Sequence, residues 1–318
     1  MDNTLIKIKD LFVEYKSKKG ILGDTEVIHA VNNLSLDIYK GEVLAVAGES
    51  GCGKSTLAKA IIKLVPAKSG EIIFDDKNIL NTTDLQNFRK KVQIIFQNPY
   101  ASLDPKVKIF DTLKEPLKIN TKLNDTEIKE KIYDILAKVG LDRECLNLYP
   151  HEFSGGQRQR IAIARALVLE PEFVVADEPV SALDVSIQAQ IINLLLELKN
   201  NYNLTLMFIS HDLSVIKHIA DRVAVMYLGE LVELGTKEEI FNDCKHPYTK
   251  ILLNSAPQIG NEISKSEVIK SDLPSPSNLP KGCKFHTRCP YCMSICKEQE
   301  PEITDITQTH KVKCFLHK

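Results

Sequence analysis

The sequence predicts an α/β fold. It should have a mostly parallel core sheet, an antiparallel N-terminal β portion, a helical portion and a small cysteine-rich C-terminal module. Three observations carry this. EVLAVAG, Glu42 to Gly48, is an apolar run entering a glycine-rich turn, which is how an α/β unit opens. FVVAD (Phe173 to Asp177) and LTLMFIS (Leu204 to Ser210) are two more buried-strand runs, separated by the helical pattern SIQAQIINLLLELKN. Strands alternating with helices build a parallel sheet. Third, five of the eight cysteines lie after Gly282, so the end of the chain is built differently from the rest.

Taken in order, LIKIK alternates near the start, and so does LSLDI at Leu34, Leu36 and Ile38. Alternation of this kind is the mark of a half-buried antiparallel sheet. Between Thr126 and Leu141, the residues Ile128, Ile132, Ile135, Leu136 and Val139 recur at helical spacing, and Gly140-Leu141 is the expected stop. In SIQAQIINLLLELKN the apolar face is Ile187, Ile191, Leu194, Leu195 and Leu198. SDLPSPSNLPKG carries Pro274, Pro276 and Pro280 and reads as an extended linker to a separate small module. The expected organisation is a main domain over 1–255 with a helical subdomain at about 98–160, a linker over 256–281, and a cysteine-rich module over 282–318.

The formal net charge of −1 gives no reason to expect a nucleic-acid partner. The opening MDNTLIKIKD lacks the apolar core of an export signal. No apolar run approaches the ~20 residues needed to cross a bilayer, so a membrane role would come through partners. Cys52, Cys145 and Cys244 are scattered and are expected to be structural. A chain kept reduced would not rely on disulfides, so the clustered cysteines favour a local site.

GESGCGKST supplies Gly48, Ser50, Gly51, Gly53, Lys54, Ser55 and Thr56 in the pattern G-x-x-x-x-G-K-[ST]. Glycines let backbone N–H groups turn inward around phosphate oxygens, and the next helix adds its positive N-terminal end. Lys54 should reach the β- and γ-phosphates, and the Ser55 hydroxyl should bind Mg²⁺. In FVVADEP, Asp177 ends an apolar strand where it can hold Mg²⁺, and Glu178 is placed to polarise an attacking water. Alone, such a run is often a strand end with solvated charges; beside a phosphate loop the functional reading wins. In FSGGQRQR, Ser154, Gly155, Gly156 and Gln157 open a helix, giving either a plain N-cap or a second anion site. Arg158 and Arg160 on that helix are expected to form a solvated basic face.

SGGQ about 20 residues before the FVVADEP strand, downstream of the phosphate loop, resembles the ATP-binding cassette (ABC) ATPases. The resemblance covers residues from about 4 to 255. Gln97 in IIFQNPYASLDP matches the Q-loop, a further Mg²⁺ and catalytic position. Asp184 in SALD matches the D-loop, His211 in FISHD the switch histidine, and Tyr15 the aromatic that stacks on adenine. The resemblance implies catalytic roles for Glu178, His211, Gln97 and Lys54, and two cassettes packed head to tail around ATP. Ser154 and Gly156 would then act on ATP held by a partner cassette. Closing that sandwich completes the charge cradle and excludes water.

GESGCGKST, QNPYASLDP, DEPVSALDVSIQAQIINLL, RVAVMYLGELVELG and HPYTKILL together resemble the oligopeptide and dipeptide importer ATPases, and most of all the second of their two paired cassettes. This implies ATP-driven peptide import, the alternatives being the same role in a nickel or other small-solute importer, or a non-transport ABC ATPase. It also implies a second cassette (a heterodimer, or a homodimer), two transmembrane permease subunits, an extracytoplasmic solute-binding protein acting indirectly, and a place on the cytoplasmic face of the membrane. A single phosphate loop and a single signature argue against the ribosome-acting ABC proteins, which carry two.

The tail GCKFHTRCPYCMSIC has the spacing C-x5-C-x2-C-x3-C, with Cys314 beyond it. Clustered thiolates suit zinc or an iron–sulfur cluster, and the tail could also hold reduced thiols without metal. Peptide-importer ATPases resemble it in ending GC-x-F-x-x-RCP, and by that resemblance Cys283, Cys289, Cys296 and Cys314 would ligate a [4Fe–4S] cluster. Cys292 is extra and is expected to be left out. His286, His310 and His317 keep zinc open.

Overall fold

The computed structural model describes residues 3–18, 25–255 and 273–318. Residues 256–272 of the expected linker therefore lie outside the described residues. The chain divides into two compact units: Met1–Tyr39, Val43–Asn81 and Ser210–Lys318 form one, and Lys40–Glu42 with Thr82–Ile209 form the other.

The first unit opens with two long antiparallel strands, β1 (Thr4–Lys18) and β2 (Thr25–Tyr39), in which Ile8 faces Leu36 and Leu11 faces Leu34. Their alternating residues Ile6, Ile8, Leu34, Leu36 and Ile38 are all buried, as the period of two requires. Then come β3 (Val43–Ala47), α1 (Lys54–Ile61), β4 (Ser69–Phe74) and β5 (Lys77–Asn78). β4 pairs antiparallel with β1, completing an outer sheet in the order β2-β1-β4-β5.

The second unit follows: α2 (Leu85–Lys91), β6 (Val92–Ile95), α3 (Pro99–Ser102), α4 (Ile109–Asn120), α5 (Asp125–Lys138), α6 (Gly155–Leu167), β7 (Phe173–Asp177), α7 (Val185–Tyr202) and β8 (Thr205–Ile209). β6, β7 and β8 pair in parallel, with Val175 facing Ile94 on one side and Met207 on the other. β7 and β8 are buried throughout, which explains their unbroken apolar runs. The helix expected over 126–141 is α5. It starts one residue earlier because Asn124 and Glu127 form a reciprocal capping box. Gly140, at φ +69, ends it in the left-handed conformation. On α7, Ile191, Leu194, Leu195 and Leu198 are buried, but Ile187 is only half-buried.

The chain then returns to the first unit with α8 (Leu213–Ile219), β9 (Arg222–Tyr227), β10 (Glu230–Thr236), α9 (Lys237–Asp243), α10 (Pro247–Asn254), α11 (Ser294–Glu298), β11 (Thr304–Asp305) and β12 (Lys311–Val312). β3 pairs in parallel with β9, whereas β9, β10, β12 and β11 are successively antiparallel. The sheet is thus mixed. Its antiparallel part exists because a two-residue turn joins β9 to β10, with both Leu228 and Gly229 at positive φ, the geometry such hairpins require.

The cysteine-rich tail departs from expectation. It packs within the first unit and has no core of its own separate from it. Phe285 is 1 % exposed and shares a cluster with Tyr227, Tyr248, Val225 and Ile216, against which Leu273, Leu279, Cys283 and Cys289 also pack. Strand β12 hydrogen-bonds to β10. Pro276, in the described part of the linker, accepts a backbone hydrogen bond from His29 at 3.1 Å. A segment with too few apolar residues for a core of its own has instead joined the core beside it. Among the described residues, no helix is long and apolar enough to cross a membrane.

Candidate nucleotide site and the cysteine tail

The glycine-rich loop lies between β3 and α1 in the first unit. Gly48, Gly51 and Gly53 have φ of +148, +81 and +105, conformations open to glycine. A Cβ on Gly53 would stand 2.1 Å from the Ala30 carbonyl, and one on Gly48 would stand 2.4 Å from that of Met226. The loop therefore lies tight against β2 and β9, and only glycine fits. Lys54 is buried, and its Nζ donates to the carbonyls of Gly48 at 2.7 Å and Glu49 at 2.9 Å. The ammonium is thus folded back across the loop's own carbonyls. Ser55 and Thr56 are half-buried at the start of α1. Tyr15 is 38 % exposed on β1, and its hydroxyl donates to Thr56 Oγ1 at 3.5 Å. His211 is exposed just after Ser210, ahead of α8, whose N-terminus Asp212 caps.

In the second unit, Asp177 ends β7 and is buried. Glu178 has φ +47, a left-handed backbone that is strained for a residue with a side chain. Its N–H donates to the Ile209 carbonyl at 3.0 Å, holding it to the end of β8. Gln97 Nε2 donates to Glu178 Oε2 at 2.9 Å, so the structure brings these two together. Ser154 caps α6 through a capping box: its Oγ accepts from Gln157 N at 3.3 Å, and Gln157 Oε1 accepts from Ser154 N at 3.0 Å. Asp184 sits at the N-cap position of α7, exposed, yet its side chain makes no capping bond. Its job is therefore not that cap.

The arginines on α6 correct the expectation of a solvated face. Arg158 is 7 % exposed; its Nε donates to Pro150 O at 2.6 Å, and its guanidinium lies 3.8 Å from the Tyr100 ring centre. Arg160 donates to Val139 O at 2.6 Å. Both tie the loops around α6 together, since an arginine's planar fork and long stem suit stacking and carbonyl binding under cover.

In the tail, one cavity is lined by Cys283, Cys289, Cys296 and Cys314 with His246 and His286. Cys292 is absent from that lining, and its Sγ lies against Met293 O at 3.6 Å. Burial pushes the Cys283 and Cys289 thiols up to about 11. Burial raises Cys314 as well, and the neighbouring thiols add to all three shifts. Such a nest resists ionisation on its own. His310 and His317 face elsewhere, bonded to Glu233 and to the Lys245 carbonyl. Among the described residues, no group of three or more His, Cys, Asp or Glu side chains stands in a ready metal-binding arrangement.

Two residues that matter here had no signal in the local sequence. Glu49, inside the glycine-rich loop, is gripped by Arg288 of the tail, 239 positions away.

The family described as "ABC transporter" matches residues 31–181, and that described as "Oligopeptide/dipeptide transporter, C-terminal region" matches residues 232–296. The chain is 47 % identical to the oligopeptide transport ATP-binding protein AppF of Bacillus subtilis, over 99 % of this chain and 98 % of that protein. It is 48 % identical to the dipeptide transport ATP-binding protein DppF of Haemophilus influenzae, over 95 % of this chain and 93 % of that protein. Among solved structures, the ATP-binding cassette MJ0796, in a dimeric post-hydrolysis state bound to ADP and Pi, superposes with a TM-score of 0.65 at 29 % identity, covering 73 % of this chain and 98 % of that one. Matched by both family models and 47–48 % identical to such relatives over nearly its whole length, the chain belongs to the ABC transporter ATPases, in the family of oligopeptide and dipeptide transport ATP-binding subunits.

Proposed function

We propose that this chain is the ATP-hydrolysing subunit of an ABC importer of di- or oligopeptides. The observation that carries the reading is the near-full-length identity to peptide-transport ATP-binding proteins, joined to a strained Glu178 held by Gln97. In this reading the loop from Gly48 to Thr56 wraps the phosphates. Lys54 leaves the carbonyls of Gly48 and Glu49 for the β- and γ-phosphate oxygens, exchanging neutral acceptors for charged ones. Ser55, Gln97 and Asp177 would hold Mg²⁺, which neutralises phosphate charge when bound. Glu178 accepts a proton from, or orients, the attacking water, and the strained backbone fixes its carboxylate. His211 stabilises the γ-phosphate side, and Tyr15 offers a ring face to adenine.

Ser154, Gly155, Gly156, Gln157 and Asp184 act across a dimer on the nucleotide of a second cassette. Support comes from the dimeric, ADP- and Pi-bound state of the MJ0796 cassette. Further support is a 13-residue helix α6 that opens at Ser154 to Gln157, with its N-terminal N–H groups suited to an anion. Two permease subunits would seat the pair on the cytoplasmic face of the membrane, served outside by a solute-binding protein. The complex reconstituted with its permeases tests this. Glu178→Gln should retain ATP while hydrolysis falls at least ~100-fold. Labelled dipeptide should enter vesicles only with the unmodified subunit. Near-normal hydrolysis by the variant, or transport of nickel in place of peptide, would overturn the reading.

The tail belongs to the same proposal: Cys283, Cys289, Cys296 and Cys314 would ligate a [4Fe–4S] cluster. Four soft donors on one cavity fit it, and bound iron would favour the thiolates that burial alone disfavours. When bound, the cluster supplies a cross-link; the cysteines hold the tail's loops together around it. Iron and sulfide analysis of anaerobically purified protein decides the matter. Serine at any of the four should lower the iron content, and Cys292→Ser should not. Zinc without iron, or no metal, rejects the cluster.

A further inference from the structure

The glycine-rich loop carries one charge that phosphate binding does not call for. Glu49 places a carboxylate beside the loop that is to receive phosphates, and like charges there repel. The tail answers it. Arg288 Nη1 donates to Glu49 Oε2 at 3.1 Å and Nη2 to Oε1 at 3.1 Å, a bidentate fork. The Arg288 side chain is 4 % exposed, and that of Glu49 25 %. A covered, bidentate pair is held in one geometry, unlike a surface ion pair. Arg288 Nη1 also donates to the Tyr227 hydroxyl at 3.3 Å.

The backbone of Glu49 is held from the same side. Its N–H donates to the Tyr248 hydroxyl at 2.8 Å. Its carbonyl accepts from Lys54 Nζ at 2.9 Å and from Cys52 N at 3.2 Å. Tyr227 and Tyr248 are themselves wedged by Phe285 of the tail, at ring-centre distances of 5.2 and 5.4 Å. Arg288, Glu49 and Lys54 therefore form a chain of direct contacts from the tail to the ammonium expected to bind phosphate.

We propose that Arg288 is a positioning residue for the phosphate loop: by gripping and neutralising Glu49 it sets the ATP affinity of the cassette from the C-terminal tail. The inference rests on the reading of this loop as the ATP site. It gives the tail a role that does not depend on what its cysteines hold. Without Arg288 the Glu49 carboxylate stands unneutralised beside the loop that receives the phosphates, and the loop loses this anchor to the tail.

The test is equilibrium ATP binding, with Mg²⁺, to the full-length subunit well below its unfolding temperature, with melting followed separately. Arg288→Gln should weaken ATP binding roughly tenfold. Arg288→Lys keeps the charge without the fork and should recover part of it; it also serves if the glutamine variant folds poorly. Glu49→Gln removes the charge that needs neutralising. Combined with Arg288→Gln it should lose less than the two single losses added together, because both act through one contact. Unchanged ATP affinity in Arg288→Gln, with only a lower melting temperature, would reduce the contact to structural packing and overturn the proposal. Fully additive losses would overturn it too. Lys54→Ala is the separate check on the site itself: if it binds ATP normally, the loop is not the ATP site, whatever Arg288 does.

Discussion

Gln97 Nε2 donates to Glu178 Oε2 at 2.9 Å, joining residues 81 positions apart at the ends of β6 and β7. One end of that contact is strained, with Glu178 at φ +47, and the other is exposed. The left-handed backbone fixes where the Glu178 carboxylate stands, and the exposed Gln97 amide orients it there. Gln97→Ala should therefore disturb catalysis more than binding. ATP turnover of the assembled transporter should fall by about tenfold or more, with ATP affinity of the isolated subunit changed by no more than about threefold. Steady-state hydrolysis alongside equilibrium ATP binding measures both. Equal losses in the two would mean that Gln97 only helps to bind nucleotide.

Gly156 has a steric reason for being glycine that is separate from anion binding. A Cβ there would stand 2.7 Å from Cγ2 of Ile187 on α7. That atom sits on a branched Cβ close to the backbone and cannot swing aside cheaply. Gly156→Ala should cost about 1–3 kcal/mol of stability by overpacking, read by urea unfolding. Adding Ile187→Ala removes the obstructing methyl and should return most of the loss. If the double variant is less stable than Gly156→Ala alone, the clash is not the cause.

These two residues show what could be read ahead of the structure. Phosphate chemistry needs several backbone N–H groups, one lysine and one hydroxyl within a single turn, so Gly48 to Thr56 is written contiguously and is legible. Asp177 and Glu178 are legible for the same reason, as a strand end. The positive φ of Glu178 and the contact of Gly156 with Ile187 were not legible, since each depends on a second element folding back. Arg158 looked solvated because a charged residue on a polar-rich helix usually is; what buries it is Tyr100 and the Pro150 carbonyl, neither on its helix. The tail looked separate because prolines and serines precede it. Its attachment runs through single residues, Phe285, Arg288, His310 and Lys313, that form no local pattern.

Lys313 tests that attachment. Its Nζ donates to Glu230 Oε2 at 2.8 Å, with side-chain exposures of 10 % and 4 %, and it also pairs with Glu300. Burial pushes the Glu230 carboxyl up, and the lysine opposes that shift. Burial opposes the charge on Lys313, yet Glu230 and Glu300 hold its pKa above the usual lysine value. Removing the lysine leaves a covered carboxylate with the Asn32 amide at 2.8 Å and the more distant charge of Lys284. Lys313→Met should cost about 3 kcal/mol in urea unfolding, as for a broken buried pair. Pairing it with Glu230→Gln should recover at least about half, because the stranded charge is gone. No recovery would place the cost in lost packing.

His246 sets an acid limit on the same region. It is 1 % exposed, and its Nδ1 accepts from Tyr248 N at 3.0 Å as the cap of α10. Burial lowers its pKa from 6.5 to about 4; the nearby Glu233 raises it and His317 lowers it, and burial dominates. In the unfolded chain the imidazole takes up a proton below about 6.5, while in the folded chain it stays neutral until about 4. Its contribution is therefore fully present above 6.5 and is lost as pH falls between those two values. Between about pH 7 and about pH 5 the loss should be about 2 kcal/mol. His246→Asn keeps a side-chain acceptor suited to a cap and does not titrate. The variant should be less stable than the parent near neutrality, because the ring's packing is gone. Its stability should fall less steeply with acid, so the two proteins converge towards about pH 5. Urea unfolding of both at the two pH values measures the slopes. Parallel slopes would show that His246 is not the group being protonated.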